Sequence, residues 1–82
     1  MSHFVYIVEC ADKTLYTGYT NNLSKRIASH NESKSGARYT RARRPVVLKY
    51  SEKFRLKSKA LRREAEIKKL SRTAKLMLIK GL

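Results

Sequence analysis

The sequence has little of what usually staples or anchors a small protein. There is one cysteine, Cys10, so no internal disulfide can form, which suits a reducing, cytosolic setting. No Cys and His spacing of the zinc-binding kind occurs. The apolar run over residues 4–8 is too short for a signal or transmembrane segment, and no basic stretch precedes it. A membrane partner is therefore not expected, and the location expected is cytoplasmic. There is one proline, three glycines and no tryptophan, with no internal repeat and no low-complexity segment. At 82 residues the chain is near the lower limit for a self-sufficient core and is read as one domain, 1–82.

Negative charge is the other scarcity. Six Asp and Glu face 20 Lys and Arg, a net charge of +14. Residues 1–33 hold three cations (Lys13, Lys25, Arg26) and three carboxylates (Glu9, Asp12, Glu32), so the whole excess lies downstream. A neutral first third and a strongly cationic remainder suit a polyanionic partner such as a nucleic acid. Phosphate neutralisation releases counterions, so such binding should weaken steeply with salt. Charge alone does not separate this from a basic accessory protein.

Residues 4–10 are rich in β-branched and aromatic side chains, a strand signal. Phe4, Tyr6, Val8 and Cys10 share one face; Val5, Ile7 and Glu9 share the other. Both faces are largely apolar, so the strand is expected to be central and covered on both sides. Residues 11–13 turn the chain and residues 14–19 return it, giving an antiparallel hairpin. Gly18 inside a strand pattern marks a bulge or a close approach by another backbone or a ligand. Thr20, Asn21 and Asn22 offer helix caps, and a helix should follow to about Asn31. Leu23, Arg26, Ile27 and His30 recur at i, i+3, i+4 and i+7, so Arg26 and His30 lie at the edge of an inward stripe.

Residues 32–45 show no period. Ser33, Ser35 and Gly36 make this segment flexible; Arg38, Arg41, Arg43 and Arg44 make it cationic. A third strand follows over residues 46–50, continuing towards Phe54. A helix capped by Lys57-Ser58 follows over about 58–70, with Ala60, Leu61, Glu64 and Ile67 as its stripe. Ser71 caps a last helix from Thr73 to about Lys80, with Ala74, Met77 and Leu78 inward. The fold class expected is α+β: a three-stranded antiparallel sheet flanked by helices, in the order β-β-α-β-α-α.

Glu64 stands inside an apolar stripe, where a carboxylate is costly unless paired or bound to a cation. A salt bridge to one of the many basic residues and a hard divalent cation are both open; magnesium is often held by one or two carboxylates with waters and phosphate. Tyr6 and Tyr16 read as strand packing unless nearby cations stabilise a phenolate. His30 suits a core-edge residue as well as a proton carrier. The run Arg38-Tyr39-Thr40-Arg41-Ala42-Arg43-Arg44 combines phosphate-matching forks with an aromatic that can stack on a base. Lys68, Lys69, Arg72 and Lys75 extend the cationic surface.

Together these residues resemble the GIY-YIG nuclease superfamily, in particular its small stand-alone bacterial members. The first signature is Val5-Tyr6-Ile7, with Val for the leading Gly; the second is Tyr16-Thr17-Gly18, with Thr for the middle Ile. Arg26-x-x-x-His30-Asn31, the segment from Gly36 to Pro45, and Ala60-Leu61-x-x-Glu64-x-x-Ile67-Lys68-x-Leu70 follow in order.

The resemblance implies a metal-dependent endonuclease hydrolysing DNA phosphodiester bonds, with DNA favoured over RNA, in the bacterial cytosol or nucleoid. It implies that Tyr6 activates the attacking water, directly or by a relay, and that Tyr16 orients that water or contacts phosphate. It implies that Arg26 stabilises transition-state charge and that His30 supports hydrogen bonding or relays a proton. Glu64 would hold one Mg²⁺ or Mn²⁺. Many members carry a separate targeting domain; 82 residues leave no room for one, so structure-selective or partner-dependent cleavage is expected, in DNA repair or processing. A non-catalytic nucleic-acid-binding module that keeps the fold is the alternative.

Overall fold

The structure is a computed structural model that describes residues 1–32 and 38–81. Its strands are β1 (His3–Glu9), β2 (Leu15–Thr20) and β3 (Val47–Phe54); its helices are α1 (Leu23–Glu32), α2 (Arg38–Arg41), α3 (Lys57–Lys68) and α4 (Arg72–Lys80). The strands form one antiparallel sheet in the order β2-β1-β3. The expected order β-β-α-β-α-α holds. The stretch expected to be an aperiodic basic loop also contains the four-residue helix α2. The Ser33, Ser35 and Gly36 positions expected to be flexible lie outside the described residues.

The two apolar faces of β1 explain its central place. Val5 and Ile7 pack with Ala60 and Ile67 of α3, joined by Leu78 and Ile79 of α4. Tyr6, Val8 and Cys10 pack with Val46 on the other face, joined by Tyr16, Leu23 and Ile27. α1 thus covers one face and α3 with α4 the other, a three-layer arrangement that buries both sides of a seven-residue strand. The β1–β3 register shifts between Ile7 and Val8, whose partners are Tyr50 and Leu48, leaving Lys49 as the extra residue of a bulge.

Local signals set the boundaries. The hairpin turn closes through Lys13 N–H to Cys10 O (2.9 Å), with Lys13 left-handed at φ 71°. Asp12 steadies the turn by accepting from the Thr14 backbone N–H (3.1 Å) and hydroxyl (2.6 Å). Asn22 caps α1, its side-chain oxygen accepting from Lys25 N–H at 3.1 Å. Ser71 caps α4, accepting from Ala74 N–H at 3.1 Å, and Gly81 ends it left-handed at φ 78°. The cap expected at Lys57-Ser58 is not used: α3 starts one residue earlier, from Leu56 with no side-chain cap. Leu61 and Met77, expected to face inward, are 41% and 48% exposed. The small sheet covers only a narrow stripe of each helix, and these two lie beyond its edge.

Candidate active site

The site begins with a missing side chain. Gly18 on the edge strand β2 is paired with Tyr6 of β1. A β-carbon on Gly18 would stand 2.4 Å from the Tyr6 hydroxyl and 2.6 Å from Cζ. Tyr6 therefore lies across β2 where only glycine leaves room. Gly18 is paired without a bulge, and what approaches it is not the backbone or ligand expected but the side-chain ring of Tyr6.

The Tyr6 side chain is fully buried. Its hydroxyl lies 2.7 Å from His30 Nε2 and accepts from Arg26 Nε–H at 3.4 Å. The inward stripe of α1 delivers both partners, one turn apart. His30 is itself fully buried. Its Nδ1 lies 2.7 Å from the Thr40 hydroxyl oxygen, and its ring meets Tyr6 and Tyr16 edge-on at 5.7 and 5.5 Å between centroids. Tyr16 stacks on Tyr39 at 5.8 Å, and the Arg43 guanidinium sits 4.0 Å above the Tyr39 ring.

Burial dominates the electrostatics. It pushes the Tyr6 hydroxyl above its ordinary value, and the lowering pull of Arg26 does not offset this; Tyr16 and Glu64 push it further up. A phenolate stabilised by the basic residues is therefore not the resting state. His30 is pushed down to about 4, first by burial and then by Arg26 and Arg44, so its ring is neutral near pH 7.

The basic run divides its labour. Arg44 donates to the His30 carbonyl oxygen and, at 3.3 Å, to the Ser29 carbonyl oxygen, satisfying the end of α1. Arg43 bonds the Tyr39 carbonyl oxygen (2.8 Å) and forms an ion pair with Asp12 (3.0 Å). Asn31 exchanges two hydrogen bonds with the backbone of Val46 (3.0 and 2.6 Å), fixing how the chain enters β3. Arg38, Tyr39 and Arg41 face solvent, whereas Thr40 between them is fully buried. Thr40 and Asn31 stand in the motifs quoted from the sequence but had no role there; the faint signal for Thr40 was one aliphatic hydroxyl inside a cationic run.

Among the described residues Glu64 makes no hydrogen bond to this cluster, but its charge reaches it and raises the Tyr6 hydroxyl. It is carried by α3, on the opposite face of the sheet from α1, and its carboxylate pairs with Lys68 at 3.3 Å. Its side chain is 20% exposed, so it sits at a rim. Among the described residues no group of three or more His, Cys, Asp or Glu could hold a metal ion. Beside the cluster, a cleft of about 290 Å³ is lined by Thr20, Asn21, Asn22, Lys25, Arg26 and Ser29. Arg26 both lines this cleft and touches the Tyr6 hydroxyl.

A three-stranded sheet between helices, with two tyrosines, an arginine and a histidine gathered on one face, defines a small α+β domain with a polar cluster built on its central strand. The sequence profile of the GIY-YIG catalytic domain matches residues 2–77, so the chain belongs to the GIY-YIG superfamily. Its relatives include the UPF0213 protein SH2523 of Staphylococcus haemolyticus, 61% identical over 94% of this chain and 93% of that one. The UPF0213 protein DP2720 of Desulfotalea psychrophila is 60% identical over 95% of this chain and 71% of that one. Two solution NMR structures share the fold. The UPF0213 protein BH0048 from Bacillus halodurans is 46% identical, with a TM-score of 0.63 over 98% of this chain and 84% of that one. The protein EF2693 from E. faecalis is 38% identical, with a TM-score of 0.67 over 99% and 85%. Among the described residues no helix is long and apolar enough to cross a membrane.

Proposed function

We propose that the protein is a divalent-metal-dependent endonuclease that hydrolyses DNA phosphodiester bonds and recognises substrate shape rather than sequence, as in repair or processing of branched DNA. The observation that carries this reading is Arg26. It lines a cleft with Lys25 and, among the described residues, no carboxylate, and its Nε reaches the buried Tyr6 hydroxyl. A phosphate in that cleft would meet two cations, and Arg26 would stabilise charge growing on the phosphorus oxygens. Tyr6 and His30 form a buried proton-holding pair behind it. Because the Tyr6 hydroxyl is enclosed, the proton of the attacking water reaches it through a relay, and its own proton passes to His30 Nε2. Tyr16, part-buried with its ring against His30, would orient water or contact phosphate.

Glu64 fits one hard cation: it offers carboxylate oxygens at a rim where solvent and phosphate can complete the shell. Such an ion, Mg²⁺ or Mn²⁺, would supply Lewis-acid stabilisation of the scissile phosphate and leaving oxygen. Its binding has to displace Lys68 from Glu64. That pairing is also the observation that favours the second reading, a non-catalytic binding module in which Glu64 is only a salt-bridge partner. Arg38, Tyr39 and Arg41 are the exposed members of the basic run and are proposed to hold the DNA backbone. A protein partner for targeting belongs to the same proposal. The test is nicking of plasmid and branched DNA in Mg²⁺, in Mn²⁺ and in chelator. Metal-dependent cutting is expected; binding to both DNAs with no cutting of either supports the second reading.

A further inference from the structure

We propose that the Thr40 hydroxyl fixes His30 in the Nδ1-protonated form, so that Nε2 faces Tyr6 as the acceptor of the phenol proton. The Tyr6 hydroxyl is buried and has one proton to give. Among the described residues its hydrogen-bond neighbours are Arg26 and His30. An arginine only donates, so the proton goes to His30 Nε2. A neutral ring that accepts at Nε2 carries its own proton on Nδ1, and that N–H points at Thr40 Oγ1, 2.7 Å away. The hydroxyl oxygen can accept it whatever the hydroxyl proton does. The order is then Arg26 to Tyr6 oxygen, Tyr6 proton to His30, and His30 proton to Thr40.

Thr40 is thus a positioning residue: it touches no substrate and acts through His30. The site is built for the purpose. Thr40 is fully buried on α2, within a run whose neighbours Tyr39 and Arg41 are exposed. The His30 ring is held edge-on by two tyrosines, and Arg44 grips its backbone carbonyl. A ring so clamped keeps each nitrogen on one partner. With the opposite tautomer Nε2–H would point at Tyr6, whose own proton would then lack an acceptor. The functional consequence rests on the nuclease reading; the tautomer itself does not.

The experiment reads the His30 ring nitrogens by ¹⁵N NMR at pH 7 in the full-length chain without substrate, alongside cleavage rate. The chain has two histidines, so the ring signals are few. The wild type should show a protonated Nδ1 and an unprotonated Nε2. Thr40→Val keeps the shape and removes the acceptor; it should lose that pattern, and cleavage should fall about 10–100-fold, as when a partner that orients a functional histidine is removed. Thr40→Ser should restore both, which a packing role would not explain. A wild type protonated at Nε2, or a Thr40→Val ring unchanged from wild type, overturns the proposal. If the ring signals behave as expected in a chain that cuts no DNA, the proposal stands and the nuclease reading alone fails.

Discussion

Replacing Gly18 with alanine tests how Tyr6 is held. The new β-carbon would lie 2.4 Å from the Tyr6 hydroxyl, 2.6 Å from Cζ and 3.0 Å from Cε2. Carbon contacts are comfortable at about 3.5 Å or more, so the end of the ring has to retreat by about 1 Å. The hydroxyl meets His30 at 2.7 Å and Arg26 at 3.4 Å, and a shift of that size leaves no geometry that keeps both. Overpacking of this kind costs about 1–3 kcal/mol. For a domain of this size about 2 kcal/mol lowers Tm by roughly 10 °C. A displacement of about 1 Å at a reacting group can cost about 10²-fold in rate. Thermal denaturation and plasmid nicking check the two numbers. The double variant Gly18→Ala with Tyr6→Phe removes the nearest atom. It should therefore cost less than the sum of the single variants, by about 1 kcal/mol or more. Wild-type Tm and wild-type nicking in Gly18→Ala would refute the account of Tyr6 as a ring wedged across β2.

Three further expectations follow from the same geometry. His30 is pushed down to about 4 in the folded chain, against an ordinary value of 6.5. The unfolded chain then binds more protons between these values, so stability is full above about pH 6.5 and falls by about 3 kcal/mol towards pH 4. Denaturant titrations across that window should show the slope in the wild type and lose most of it in His30→Gln. Arg44→Ala should cost about 1–2 kcal/mol of stability, because the Ser29 and His30 carbonyls lose the guanidinium bonds that Arg44 gives them. Arg38→Ala with Arg41→Ala should leave stability within about 0.5 kcal/mol and flatten the salt dependence of DNA binding by about 1 per arginine removed; a stability loss in this double variant and none in Arg44→Ala would reverse the roles assigned to them.

The features that depend on local period were legible in the sequence. Two apolar faces on β1, the cap at Asn22 and the stripe Leu23-Arg26-Ile27-His30 follow from alternation and helical spacing, and they bring Arg26 and His30 to Tyr6. Glu64 was legible as a carboxylate on an apolar stripe, but its partner Lys68, one turn on, was one of many candidates. What was not legible depends on contacts between distant segments. Arg43 and Arg44 look like their neighbours Arg38 and Arg41 in a basic run; only the folded chain sets one against Asp12 and the other against the end of α1. Thr40 is buried because α2 turns it towards His30, and a four-residue helix leaves no periodic trace. The rise in Tyr6 could not be seen either, since the sequence shows the cations near it but not how deeply it is buried.

The central claim, that Glu64 and a divalent cation serve a phosphodiester cut beside Arg26 and Tyr6, is tested most directly by one paired measurement. Wild type and Glu64→Ala are compared for DNA binding and for nicking, in Mg²⁺ and in chelator. Glu64 is partly exposed, with Lys68 as its ion-pair partner, and it acts on Tyr6 only through its charge, so its removal should leave the fold and DNA affinity intact. The account predicts equal binding, nicking by the wild type only with metal, and no nicking by Glu64→Ala in either condition. Nicking by Glu64→Ala at the wild-type rate, or by the wild type in chelator, would contradict it.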